Sequence, residues 1–274
     1  MKKLLTLLLF FSSTLLFSGC HKSDQANSIS VGVMAGKETD LMVAAQKVAL
    51  QRYGLKVKIV RFTDYSVPNR ALSEGSIDAN SFQHKPFLDA DAKAHGYKLA
   101  VVGKTFVFPL GVYSRKIKNL SQLPENGIIA IPSDVSNEAR SLLLLQKGGV
   151  IQLRPNATIT ATPKDIIANP KHIQFKKLDS ADLARTLQDV SAAVINNTFA
   201  ESAGLSLKDA IYKEGSDSLY TNLLVTRAGD ENKPTVKELL ESIQSPQVAA
   251  AAEKIFHGGA VPGWKEEKSN PTNS

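Results

Sequence analysis

The sequence predicts an α/β protein of two lobes joined by a hinge that the chain crosses twice. Three features point there. The first part holds a strand, a helix and a strand within roughly thirty residues, the span of one βαβ unit. A second series of the same kind starts near Leu120. Two late helices have no strand series of their own.

Residues 29–33 form a short apolar run that fits a buried strand. Thr39 or Asp40 offers a helix cap, followed by Leu41, Ala44, Ala45, Val48 and Ala49 on one face, with Gly54 as the stop. Leu55, Val57 and Ile59 alternate as the second strand. Residues 68–73 predict a short helix closed by Gly75, 77–82 a strand, 86–94 a helix stopped by Gly96, and 98–107 an extended apolar segment. In the second series, 127–131 reads as a strand. Ser133, Asp134 and Ser136 offer caps for a helix over 137–147, ended by Gly148 and Gly149. A strand over 173–178, a helix capped by Ser180 and running through Leu187, and strands over 190–195 and 220–226 follow.

Helices over 235–244 and 246–256 close the series, the last ended by His257, Gly258 and Gly259. Lacking strands, they are expected to pack back on the first lobe. The expected division is 29–113 plus 227–264 for lobe one and 114–226 for lobe two, the layout of a bilobed solute-binding protein. Residues 265–274 are polar and carry Pro271, which predicts a disordered tail.

The N-terminus reads as an export signal. Lys2 and Lys3 precede an apolar stretch over 4–17, and Ser18 and Gly19 place small residues before Cys20. That order predicts a signal peptide over 1–19, and the apolar run is short for a spanning helix. Residues 17–20 resemble a bacterial lipobox, with Phe17 where leucine is usual. Cys20, the sole cysteine of the chain, is then either the lipidated residue or incidental to a plain signal peptide. Acyl chains on Cys20 would hold the protein at a membrane surface, with residues up to 28 as a polar tether.

The 274 residues are 43% hydrophobic and 22% charged, an ordinary globular composition. The formal charge is +7, but the basic residues are interspersed with acids such as Asp78, Asp89, Asp91 and Asp182, and no run of five occurs. This argues against nucleic acid as a partner. The five histidines, His21, His84, His95, His172 and His257, show no metal-site spacing. No G-x-S-x-G elbow or dinucleotide loop is present. Residues 32–37 approach a phosphate loop, but one residue is missing and Glu38 stands where Ser or Thr is needed. The pattern favours binding over catalysis, with no cofactor.

A free amino acid presents a carboxylate, an ammonium and a side chain. Burying both charges without partners costs several kcal/mol each, so a site needs a guanidinium fork and carbonyl oxygens. An apolar side chain wants an aromatic wall, and a thioether gains about 0.3–1.5 kcal/mol from sulfur–aromatic contact. On residue chemistry alone, Phe82 and Phe87 read as core, Arg140 as a surface charge, His84 as a satisfied polar residue, and Asn196 and Asn222 as turn or cap residues.

Residues 62–69 (FTDYSVPN), 77–88 (IDANSFQHKPFL), 137–146 (NEARSLLLLQ), 193–196 (AVIN), 220–223 (YTNL) and 258–261 (GGAV) resemble the methionine-binding lipoproteins of bacterial methionine ABC importers, the NlpA/MetQ family. The resemblance runs from about Ile29 to Trp264. It implies that Tyr65, Phe82 and Phe87 wall a side-chain pocket with His84 at its edge, that Arg140 clamps the carboxylate with Asn137 beside it, and that Asn196 and Asn222 bind the ligand's polar ends. Phe87 stands where the family often has tyrosine, and Asn197 where it commonly has threonine, so either Asn196 or Asn197 could face inward. The implied partners are methionine and the permease and ATPase subunits of an importer. The implied form is a monomer held to a membrane by its lipid and facing the periplasm or cell exterior. A receptor for D-methionine, methionine sulfoxide or a small peptide, and a surface lipoprotein acting as an adhesin, are the alternatives.

Overall fold

The computed structural model describes residues 27–215 and 220–264. The expected leader over 1–19, Cys20, nearly all of the tether and the tail over 265–274 lie outside the described residues. The chain runs β1 (Ser28–Met34), α1 (Lys37–Tyr53), β2 (Lys56–Phe62), α2 (Pro68–Ser73), β3 (Ala79–His84), α3 (Lys85–His95) and β4 (Leu99–Val107). It continues through β5 (Gly111–Tyr113), β6 (Ile128–Pro132), α4 (Val135–Lys147), the two-stranded β7 (Gln152–Leu153) and β8 (Ile166–Ala168), β9 (Gln174–Leu178), β10 (Ala192–Ile195), α5 (Asn197–Ser202) and β11 (Tyr212–Lys213). It closes with β12 (Thr221–Arg227), α6 (Pro234–Ile243), α7 (Pro246–Phe256) and β13 (Val261–Pro262).

Two sheets organise these elements. The first has the order β13-β4-β12-β3-β1-β2, and the second β11-β5-β10-β6-β9. β2 and β3 flank β1 in parallel, while β12, β4 and β13 extend the sheet antiparallel. In the second sheet β6 pairs in parallel with β9 and β10, and β5 turns the edge antiparallel. Each sheet carries its own apolar core. Val31, Val33, Leu55, Val57 and Leu224 meet α1, α6 and α7 on the first. Ile129, Ile131 and Val194 meet Leu142 and Leu145 of α4 on the second. Helices α6 and α7 pack on α1 through Val236, Leu239, Ile243, Val248, Ala252 and Phe256, as their strandless position in the sequence predicts.

The strand pairing shifts the expected boundaries. Residues 111–113 pair with β10 in the second sheet, and residues 221–227 insert between β3 and β4 in the first. The chain therefore leaves the first sheet between Val107 and Gly111 and returns between Lys213 and Thr221, rather than at 113/114 and 226/227. Pairing between strands distant in sequence sets these limits, and local pattern does not display it.

Two caps also differ from expectation. Helix α1 starts with Lys37, because Gly36 adopts φ 92° as its N-cap, a conformation that a residue without Cβ takes readily. Thr39 falls inside the first turn, where Oγ1 donates to the Met34 carbonyl at 2.8 Å. Asp40 joins it there, suited to the positive end of the helix. The segment after Ser180 is a 3-10 helix over Leu183–Gln188 with Asp182 as its N-cap. The tighter winding rises about 2 Å per residue and spans the return to β10 with fewer residues than an α-helix would. Among the described residues no helix is long and apolar enough to cross a membrane.

Candidate functional site

The two sheets meet around a narrow cleft with about 340 Å³ of atom-free space, a figure that includes its opening to solvent. Tyr65, Phe82, His84, Phe87, Asn137, Arg140, Asn196 and Asn222 all line it, joined by Gln83, Phe108, Asn197 and Thr198.

One wall comes from the end of β3. Alternation along the strand puts Phe82 and His84 on one face, and the turn into α3 brings Phe87 beside them. His84 is the N-cap of α3: Nδ1 accepts from the Phe87 amide at 3.2 Å. Tyr65 comes from the loop after β2, where Asp64 Oδ1 accepts from the Ser66 amide at 2.9 Å. The Tyr65, Phe82 and Phe87 rings sit with centroids 5.7 Å apart. Phe199 of α5 reaches across to 4.8 Å from Tyr65.

The opposite wall starts at α4. Asp134 caps this helix by accepting from the Asn137 amide at 2.9 Å, which fixes Asn137 in the first turn and Arg140 on the same face three residues on. Asn137 Oδ1 accepts from Asn196 Nδ2 at 3.0 Å and faces His84 Nε2 at 3.3 Å. Because His84 Nδ1 is already an acceptor, the proton sits on Nε2 and points to Asn137. The imidazole is neutral. Burial, reinforced by the Arg140 charge, pushes its pKa down to about 3. Both ring nitrogens are thus engaged, and His84 builds the wall and bridges the two sides.

Arg140 is buried and well held. Nε and Nη2 donate to the Glu214 carboxylate, Nη2 also to the Phe108 carbonyl, and the Tyr220 ring lies 4.4 Å from the guanidinium carbon. Asn196 Oδ1 and Asn197 Oδ1 are both buried acceptors without a protein partner among the described residues. Asn197 lines the cavity too, but its Nδ2 donates to the Gly259 carbonyl at 2.8 Å, tying α5 to the first lobe's last turn. Asn222 of β12 is in register with His84.

Two acids that sequence reasoning did not place here adjoin the site, Glu38 buried and Glu214 half-buried. Glu214 serves Arg140. Glu38, discounted at the false phosphate loop, accepts from the Thr198 hydroxyl across the two lobes. Burial raises its pKa to about 7, against the opposing pull of that hydrogen bond. Burial likewise raises the Tyr65 phenol. Nothing near Glu38 or Glu214 in the chain announces these roles, since their partners lie 160 and 74 residues away. The assembled cavity offers one guanidinium, uncharged amides and an aromatic wall, which together suit a small zwitterion with an apolar side chain.

The family described as NlpA lipoprotein matches residues 29–264. The chain is 47% identical over 255 residues to the probable D-methionine-binding lipoprotein MetQ of Vibrio cholerae, covering 92% of this chain and 95% of that one. Among solved structures, it resembles an ABC transporter periplasmic substrate-binding protein from Coxiella burnetii at 51% identity and TM-score 0.83, covering 85% of this chain and 99% of the other. It also resembles a nutrient-binding protein from Burkholderia cenocepacia bound to methionine, at 46% identity and TM-score 0.84, covering 86% and 99%.

Proposed function

The chain belongs to the NlpA lipoprotein family, and from that membership we propose that it captures methionine between its two lobes and delivers it to a membrane ABC importer. The observation that carries this reading is the single cavity in which an aromatic wall from one sheet faces Arg140 and Asn196 from the other. Arg140 takes the carboxylate, a charge-assisted bond of the strong kind. Asn196 Oδ1 accepts from the ammonium, and Asn222 adds an amide. Tyr65, Phe82 and Phe87 enclose the thioether. Each lobe moves as a body about the two crossings, and a ligand that touches both lobes favours the closed form. The protein binds and releases without chemistry, and Cys20 carries the lipid that holds it to the envelope membrane. The relatives' names and the methionine in the Burkholderia structure support the choice of ligand.

The test is isothermal titration of unfolded and refolded protein, free of carried-over ligand, against L- and D-methionine, methionine sulfoxide, alanine and a methionine dipeptide. Methionine in one or both hands is expected to bind at least 100-fold more tightly than alanine, because the pocket gains a buried side chain worth about 3 kcal/mol. Equal affinity for alanine and methionine would end the thioether-pocket reading. Mass spectrometry of ligand released from the native protein gives an independent identification.

A further inference from the structure

With the ligand carboxylate assigned to Arg140 as proposed above, the remaining bonds of that side chain bear on the hinge. Arg140 stands on α4 of the second lobe, yet its protein partners belong to the two crossings. Nε donates to Glu214 Oε1 at 2.8 Å and Nη2 to Glu214 Oε2 at 2.5 Å. Nη2 also donates to the Phe108 carbonyl at 3.0 Å. Phe108 lies on the outward crossing, Glu214 on the return. The crossings are joined at the same place: Glu214 Oε2 accepts from the Leu110 amide at 2.9 Å, and the Glu214 amide donates to the Leu110 carbonyl at 3.0 Å. A carboxylate that takes two nitrogens of one guanidinium fixes its plane as well as its position. The group left over is Nη1, which has no protein hydrogen bond among the described residues.

We infer that Glu214 is a positioning residue: it aims Arg140 at the ligand carboxylate and joins that carboxylate, through one rigid guanidinium, to both strands of the hinge. The same planar group bonds the hinge on two edges and meets the ligand on the third. A ligand that draws on Nη1 therefore loads the crossings directly, without an intervening chain of side chains. Glu214 also keeps the buried guanidinium compensated while the cleft is empty, which an unpaired cation at that depth would not tolerate.

The experiment is a double-mutant cycle on the refolded protein. Glu214→Gln, Arg140→Lys and the double variant are titrated with methionine and with methioninamide, which replaces the carboxylate by a neutral amide. Glu214→Gln is expected to raise the methionine Kd about tenfold, within the coupling range of contacting residues, and to leave the methioninamide Kd nearly unchanged. In the Arg140→Lys background the same substitution should add nothing. An unchanged or tightened methionine Kd in Glu214→Gln overturns the positioning role, as does an equal loss for both ligands or a loss that adds fully to Arg140→Lys. If Glu214→Gln does not fold, Glu214→Asp keeps the charge but is one methylene shorter and draws the carboxylate back from Nε and Nη2. It is expected to show the same carboxylate-specific loss, and normal methionine affinity in it counts against the role. Wild-type protein that fails to bind methionine defeats the functional reading itself, whereas wild-type binding with an indifferent Glu214→Gln defeats only the hinge coupling.

Discussion

Arg140 is 3% exposed and its partner Glu214 13%, so neither charge is free to find water if the other is removed. Arg140→Ala is therefore expected to act twice. It should cost about 3–5 kcal/mol of stability by taking the guanidinium from the Glu214 carboxylate, measured by denaturant unfolding, and it should abolish measurable methionine binding in the fraction that remains folded. Retained affinity would show that the carboxylate is held elsewhere. The sequence revealed this residue only through resemblance, because an arginine early in a helix reads alone as a surface charge. Phe82, His84 and Phe87 were likewise placed in the site only through resemblance, because buried aromatic residues at a strand end read alone as core. Glu214 and Glu38 were illegible because no local pattern encodes a partner 74 or 160 residues away. His84 was legible as a cavity residue, but its work as helix cap and interlobe bridge follows from geometry alone.

Helix ends show how far local rules reach. Gly54 follows α1 in the left-handed region at φ 64°, as a glycine after the last apolar position predicts. The nearest atom to a Cβ built there is Asn27 Nδ2 at 3.7 Å, so alanine would meet no clash. Gly54→Ala is thus expected to cost only the backbone penalty, about 1–2 kcal/mol, in a thermal or denaturant melt, with methionine affinity unchanged. A larger loss would point to a packing defect that the geometry does not contain. The start of α1 was missed because Gly36, by adopting a positive φ, displaces the polar caps that follow it. The elements absent from the reading, β5, β7, β8, β11, β13 and α5, run from two to six residues. Such stretches are too short for either periodicity to register, and several exist only because a neighbouring strand supplies their partner.

Across the whole molecule, polar contacts close the gap between lobes near the cavity. Lys37 of α1 pairs with Glu201 of α5, Thr198 donates to Glu38, and Asn197 donates to Gly259. Glu38 makes closure sensitive to protons. Its pKa is about 7 when buried, against an ordinary value of 4.5. The closed form therefore holds a proton that a solvated Glu38 would release. The contribution to closure is complete below about pH 4.5 and is lost as pH rises toward 7. Methionine affinity should fall across that window and level off above it, and Glu38→Gln should flatten the profile in titrations at stepped pH. A flat wild-type profile would mean that Glu38 does not change exposure on opening. The split into two lobes was readable from the late helices, which had no strands to cover. The limits of each lobe were not, because β5 and β12 each pair with strands that the local pattern assigns to the other side.

The position of β12 orders events in time. This strand lies between β3 and β4, yet it is made more than a hundred residues after them. A chain emerging from its N-terminus can close βαβ pairing early, but β3 and β4 wait with unmatched edges until residue 227 has appeared. The half of the molecule that begins first is thus the half that finishes last, and the intervening insert can assemble while its host is still incomplete.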